Sequence, residues 1–185
     1  MATAGVRLFR NLASSVAVLA VIVFVAFGLP AINRMVPAGH NEIGGRAYGI
    51  GGGVTVVPPQ DAKIDPASTR PGNDRGTVLF LLGPVRYVIV VSPFSGSVEQ
   101  AAAKLRTKIT GTRGYQVTDG ERPYATAGGL TGLQGCYRAP GRLGRYAVFL
   151  SDGRSIEVTV SGGEGELAGQ MTQIEASIAS IAQQR

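Results

Sequence analysis

The hydrophobic pattern of the chain begins with an unbroken apolar run at residues 12–32, which starts at Leu12 and ends at Ile32. None of its 21 residues carries an ionisable side chain. A helix of this length rises about 31 Å, close to the roughly 30 Å hydrocarbon core of a bilayer. The run therefore predicts one transmembrane helix with the lipid bilayer as its partner. Because no charge interrupts it, we expect an anchor and not an ion path.

The charges beside the run predict its orientation. Residues 1–11 carry Arg7, Arg10 and the terminal amine, and the first residues beyond the run carry a smaller positive excess. The positive-inside rule then predicts a cytoplasmic tail at 1–11 and an extracytoplasmic location for the rest of the chain, at the plasma membrane. A cleaved signal peptide has the same charge pattern, with a cleavage site after residue 28 as the alternative. The length of the run favours an uncleaved signal anchor.

Beyond the run, the pattern divides the chain into a spacer and a domain. Residues 33–53 are rich in glycine and predict a flexible tether. Residues 54–185 contain short apolar segments of strand length and two amphipathic segments of helix length. This part is long enough to bury one hydrophobic core, so we predict a single extracytoplasmic domain.

Apolar and β-branched runs predict an antiparallel sheet. A hairpin with its turn at Gly83 and Pro84 is expected at the sheet centre, and a second is expected to turn at Asp152 and Gly153. Residues 60–76 predict a long loop that is either mobile or a binding loop. The predicted strands are an edge strand at 54–57, the hairpin strands at 77–82, 85–91, 146–150 and 156–160, weaker strands near 115–118 and 124–126, and a bent strand at 133–138.

Two helices are predicted. Ser97 and Gln100 match a capping box, and the helix that follows has one apolar face and ends at Gly111. A second apolar stripe predicts a terminal helix of about 18 residues that faces the core, or in a minority interpretation a partner. The stripe consists of Leu167, Met171, Ile174, Ile178 and Ile181. The predicted fold class is α+β, with an antiparallel sheet packed against about two helices.

This order of elements resembles the PsbP-like α/β sandwich over about residues 50–182. The resemblance rests on GVTVVPP at 53–59 and GGLTGL at 128–133. The predicted domain is similar to small extracytoplasmic domains that actinobacteria attach to one N-terminal membrane helix or a lipid anchor. The resemblance implies non-catalytic accessory or binding proteins of the cell envelope, and it supplies no catalytic residue. Related domains often carry an aromatic residue soon after the double proline, which Gln60, Asp61 and Ala62 do not provide.

Charge gives little support for a nucleic-acid partner. The net charge is +6, and 16 basic and 12 acidic residues follow the apolar run. A nucleic-acid-binding domain normally concentrates its basic residues in one stripe. The nearest candidate is a cluster of Arg138, Arg142 and Arg145, which we interpret as a solvated surface or as a patch for anionic lipid head groups or an envelope polyanion.

No catalytic, cofactor or metal site is predicted. Cys136 is the only cysteine and His40, in the tether, is the only histidine, so a cysteine nucleophile lacks a histidine base within the domain. A lone cysteine is more often a small buried apolar residue. Asp61, Asp65 and Asp74 lack the spacing of a calcium loop and are interpreted as ordinary loop residues.

Glycines recur around Leu130, Leu133 and Tyr137 and allow two interpretations. Glycine within a strand can let a helix lie close, or it can open a ligand crevice formed by Leu130, Leu133, Cys136 and Tyr137. The leading hypothesis is a non-catalytic envelope protein that acts through protein–protein contacts. The alternatives are a carrier or sensor of an apolar envelope lipid, and a hydrolytic enzyme with an unrecognised site.

Overall fold

The computed structural model describes residues 44–184. The predicted cytoplasmic tail, the transmembrane helix at 12–32, the first part of the tether and His40 lie outside the described residues. Within residues 44–184, no helix is both long enough and apolar enough to cross a bilayer.

The described chain forms two antiparallel sheets and two helices. Along the sequence these are β1 (Tyr48–Gly51), β2 (Val54–Val56), β3 (Lys63–Ile64), β4 (Gly76–Leu82), β5 (Val85–Pro93), α1 (Val98–Thr110), β6 (Gln116–Val117), β7 (Arg122–Ala125), β8 (Thr131–Ala139), β9 (Arg142–Ser151), β10 (Arg154–Gly162), α2 (Glu164–Ala179) and β11 (Ala182–Gln183).

The large sheet separates two layers. Its strand order is β3-β4-β5-β10-β9-β8-β6, with β7 also paired to β8, and the small sheet has the order β1-β2-β11. Alternate residues of β9 point to opposite faces, as in any strand. Tyr146 and Val148 pack beneath α1, whereas Ala147 and Phe149 belong to the core shared with α2 and the small sheet. The α+β class predicted from the sequence is confirmed.

Both predicted hairpins are present. Gly83, with φ 58°, turns β4 into β5, and Asp152 and Gly153, with φ 46° and 71°, turn β9 into β10. Successive positive φ angles match the twist of a tight antiparallel hairpin. The prediction that β4 and β5 occupy the sheet centre is wrong, because β10 lies in the middle between β5 and β9.

The small sheet corrects two predictions at the start of the domain. β1 lies within the predicted tether at 33–53, which is wrong for residues 48–51, since Ile50 is fully buried and β1 pairs with β2. β2 is also not an edge strand, because β11 pairs with its other side. The glycine-rich sequence misleads here because Gly52 and Gly53, with φ 60° and 75°, form the tight turn between β1 and β2.

The predicted loop at 60–76 is packed along β4. It contributes β3, and the Leu79 amide donates a hydrogen bond of 3.2 Å to Thr69 Oγ1. Arg70 and Thr77 form a further bridge of backbone hydrogen bonds. This segment therefore covers the outer edge of the large sheet, which would otherwise present free backbone groups.

The helix boundaries follow the sequence closely. Ser97 caps α1: the Gln100 amide donates to Ser97 Oγ and the Ser97 amide donates to Gln100 Oε1, so the predicted capping box is confirmed. α2 ends at Ala179 and is shorter than predicted. Ile181 lies beyond the helix and is fully buried, where it leads into β11.

Candidate functional site

The four residues of the predicted crevice lie on both faces of the sheet. Leu133 and Tyr137 pack on the face covered by α1, while Leu130 belongs to the core beneath α2. Cys136 pairs with Arg145 of β9 and faces a groove beside α2. The structure does not bring the four side chains into one crevice, because adjacent residues of a strand point to opposite faces.

The glycines of β8 and β9 make room for aromatic rings. A Cβ atom at Gly144 would lie 2.1 Å from Cζ of Tyr137, and one at Gly135 would lie 2.5 Å from the hydroxyl of Tyr146. The Tyr137 ring lies over Gly144, and its hydroxyl donates a hydrogen bond of 3.1 Å to the carbonyl of Val160 on β10. The prediction that these glycines admit a helix is therefore wrong; the rings of neighbouring strands occupy the space.

The candidate site is a groove between strands β8 and β9 of the large sheet and the first half of α2, which we call the α2 groove. Its volume is about 360 Å³. The apolar lining comes from Leu143, Leu167, Ala168 and Met171, with the Cys136 thiol among them. The charged lining comes from Asp119, Arg138, Arg145 and Glu164.

Two further hollows adjoin the α2 groove through shared walls. One of about 170 Å³ shares Asp119, Cys136 and Arg145 with it and extends toward Arg122. Another of about 370 Å³ shares Arg138, Leu143 and Glu164 and extends toward Arg142. These hollows extend the available surface along β8 and β9 beyond the α2 groove itself.

The three arginines of the predicted patch differ in their contacts. Arg145 forms an ion pair of 2.5 Å with Glu175 of α2, and Arg142 donates a hydrogen bond of 2.9 Å to the carbonyl of Pro84. Arg138 forms no ion pair within residues 44–184. Of the three arginines, Arg138 is thus the one whose charge is most available to a ligand of the groove.

Cys136 is poorly suited to nucleophilic chemistry. Burial raises the pKa of its thiol, and the neighbouring Asp119 raises that pKa further, while Arg145 lowers it in part. The thiolate is the reactive form of cysteine, so a raised pKa keeps the side chain protonated near neutral pH. Among residues 44–184, no group of three or more potential metal ligands is assembled.

A second cleft lies on the opposite face, between α1 and the sheet, and we call it the α1 cleft. Its volume is about 270 Å³, and Glu157 of β10 lines its base. This glutamate is only 3% exposed, and its Oε2 accepts a hydrogen bond of 2.6 Å from Lys108 of α1. Tyr115 lies beside the cleft and stacks on Tyr137, with ring centroids 6.0 Å apart.

The C-terminal half of α1 is also held, through Arg106, by Glu121. Its Oε2 pairs with Arg106 at 3.0 Å, and its Oε1 accepts a hydrogen bond of 3.0 Å from the hydroxyl of Tyr146. Burial and the contact with Glu121 raise the pKa of Tyr146, so that the hydroxyl remains a donor. This arrangement fixes the segment before β7 against both α1 and β9.

The sequence did not indicate the α1 cleft. Glu157 alternates with Ile156, Val158 and Val160, a pattern that normally places the polar residue in solvent on an antiparallel sheet. The face that looks polar is instead covered by α1. The groove-lining residues Leu167 and Met171 were recognisable only as part of a core stripe, and Met171 is half-buried.

Comparison with known proteins places the chain by fold. No protein-family model matches the sequence, and no curated protein matches it. The solution structure of cyanobacterial PsbP (CyanoP) from Synechocystis sp. PCC 6803 is similar, with a TM-score of 0.54 and 11% identity. The alignment covers 79% of this chain and 96% of that chain. At this identity the similarity extends to the fold alone, and the chain has a PsbP-like fold.

Proposed function

We propose that the chain is a membrane-anchored, extracytoplasmic accessory protein of the cell envelope that binds another envelope protein and catalyses no reaction. The observation that carries the proposal is the α2 groove, an open depression with an apolar base and charged walls. Protein interfaces commonly combine a small apolar centre with a polar, charged rim. The apolar run at 12–32 supports the anchor, and its flanking charges support the extracytoplasmic location.

The groove suits a protein segment better than a complete lipid. Its 360 Å³ lies near the lower end of the 300–1,000 Å³ range of small-molecule pockets, and its walls carry both signs of charge. One or two apolar side chains of a partner can contact Leu143, Leu167 and Met171. A carboxylate of the same segment can then pair with Arg138.

A non-catalytic role is supported by the chemistry of the groove. The cysteine at its base is held in the thiol form by a raised pKa. The neighbouring Asp119 carboxylate also raises the pKa of this thiol. The groove thus offers contact surface and charge, without an activated nucleophile.

Site-specific photo-crosslinking in membranes tests the proposal. A photo-reactive amino acid at Ala168, which is exposed and lines the groove, should capture one protein partner at native abundance. The matched control is Ala176, an exposed alanine of the same helix outside the groove lining. In the protein that carries the photo-reactive amino acid at position 168, Arg138→Glu should lower the yield of the crosslinked adduct at least threefold.

The outcomes separate the hypotheses. A protein adduct at Ala168 and none at Ala176 would support the proposal. A lipid adduct at Ala168 would instead favour the carrier of an apolar envelope lipid. Absence of any adduct, or equal yields at the two positions, would contradict a role for the groove.

A further inference from the structure

We propose that the α1 cleft binds a primary ammonium group carried on an apolar stem, with the Glu157 carboxylate as its counter-charge and Lys108 as the group it displaces. The α1 cleft and the α2 groove share Tyr137 in their linings, but Glu157 and Lys108 line the α1 cleft alone, on the face of the large sheet opposite to the groove. The inference therefore does not depend on the function proposed above.

Glu157 is an acidic group in an apolar setting. It lies on β10, directly opposite Val90 of β5 and Val148 of β9, and only 3% of it is exposed. Transfer of an unpaired carboxylate into such surroundings is strongly unfavourable. Glu157 therefore requires a cation, and any ligand that displaces Lys108 from it must supply one.

Lys108 is a replaceable partner for this carboxylate. It is the one cation that pairs with Glu157 within residues 44–184, and its own side chain is 55% exposed. It lies in the last turn of α1, where the helix dipole favours a positive charge with or without Glu157. If a ligand ammonium takes its place, Lys108 can return to solvent without leaving a buried charge unpaired.

The remainder of the cleft fits the body of such a ligand. Val90, Leu105 and Ile109 form apolar walls, and the ring of Tyr115 provides an aromatic one. Aromatic faces attract ammonium groups as well as apolar stems. A volume of about 270 Å³ accommodates a group of side-chain size. The negative charge at the base disfavours carboxylates and phosphates.

The test is a titration of the full chain by calorimetry or by amide NMR, with 2-phenylethylammonium as the probe. The expected result is saturable binding, and 3-phenylpropionate, which has a similar shape and the opposite charge, should not bind. Glu157→Gln keeps the size of the side chain and should weaken binding at least tenfold. Lys108→Met removes the competing cation and should strengthen binding at least threefold, whereas Lys63→Met, on the exposed strand β3, should change nothing.

Several outcomes would overturn the inference. If the ion pair between Lys108 and Glu157 only stabilises the fold, Lys108→Met will not strengthen amine binding. Binding that survives Glu157→Gln would place the probe elsewhere. Should Glu157→Gln fail to fold, Tyr115→Ala takes its place as the test of location and should weaken binding at least threefold.

The source of the ammonium is distinguished by a second probe. Nα-acetyl-lysine amide presents the same group as a lysine side chain of a protein partner would. Tighter binding of this compound than of 2-phenylethylammonium would identify a lysine side chain as the ligand. The reverse order would identify a free amine.

Discussion

At the scale of single residues, close packing between aromatic rings and glycines shapes the face of the sheet that α1 covers. Tyr137 is 5% exposed, stacks on Tyr115 and is tied by its hydroxyl to Val160. Its ring cannot move aside without losing these contacts. The fold therefore requires a residue without a side chain at position 144, although nothing in the sequence distinguishes Gly144 from the neighbouring glycines.

Gly144→Ala should destabilise the protein by about 1–3 kcal/mol, because the new methyl group overlaps the Tyr137 ring and overpacks the site. The free energy of unfolding, measured with urea, provides the check. Gly169→Ala is the matched control, since nothing lies within 4 Å of the corresponding Cβ on α2. Alanine there should stabilise the helix by about 0.5–1 kcal/mol. Equal effects of the two substitutions would contradict the packing argument.

Buried tyrosines should make the fold sensitive to alkaline pH. Burial raises the pKa of Tyr87, whose hydroxyl accepts a hydrogen bond of 3.3 Å from Ser177 of α2. The unfolded chain, with its tyrosine pKa near 10, then loses protons more readily than the folded chain. The stabilisation is complete below about pH 10 and is lost as the pH rises from there toward the folded pKa.

Between pH 8 and pH 11, Tyr87 alone should therefore remove about 1 kcal/mol from the free energy of unfolding. Denaturant titrations at the two pH values measure this loss. Tyr87→Phe should show a correspondingly smaller decrease, with Tyr137 and Tyr146 still contributing through their raised pKa values. An unchanged decrease in Tyr87→Phe would show that another group is responsible.

At the scale of elements, α1 forms one wall of the α1 cleft and depends on a local signal at its start. Ser97→Ala should lower the free energy of unfolding by about 1 kcal/mol, because the Gln100 amide at the helix start loses Ser97 Oγ as its acceptor. Ser95 is exposed and forms no hydrogen bond within the described part of the chain, so Ser95→Ala serves as the control and should have little effect. A similar loss in both variants would argue against the capping box.

The elements that the sequence predicts are those with strong local signals. Ser97 and Gln100 mark the start of α1, and Asp152 with Gly153 marks the second hairpin. β1 and β11 were not predicted, because each is short and exists only through pairing with β2, which is remote in sequence from β11. Glycine-rich or polar residues in such strands give no periodic pattern.

The candidate sites were less predictable than the fold for a related reason. Cys136, Arg138 and Arg145 do line the α2 groove, but its other walls come from α2 and from Asp119. Glu157 and Lys108 are 49 residues apart in the chain and meet only because α1 covers the face of β10. No local pattern of residues records which helix covers which face of a sheet.

At the scale of the whole molecule, the small sheet brings the first and last strands of the described chain together. β2 lies between β1 and β11, and the amide of Gln184 donates a hydrogen bond of 2.8 Å to the carbonyl of Gly53. A reporter inserted at Gly53 would disrupt this sheet, because even a Cβ atom there would lie 2.5 Å from Gln183 Nε2. A topology experiment should therefore leave the domain intact and place the reporter after residue 185.

The positive charges at Arg7 and Arg10 are expected to hold residues 1–11 in the cytoplasm and so to place the domain outside. Alkaline phosphatase fused after residue 185 should therefore be active. Green fluorescent protein fused at the same point should remain dark, because it is exported unfolded. Alkaline phosphatase fused after residue 11 is the control and should be inactive. The opposite pattern would contradict an extracytoplasmic domain. Sequencing of the mature N-terminus then separates the two export mechanisms: an intact residue 1 or 2 indicates a signal anchor at 12–32, whereas a terminus at residue 29 indicates a secreted domain.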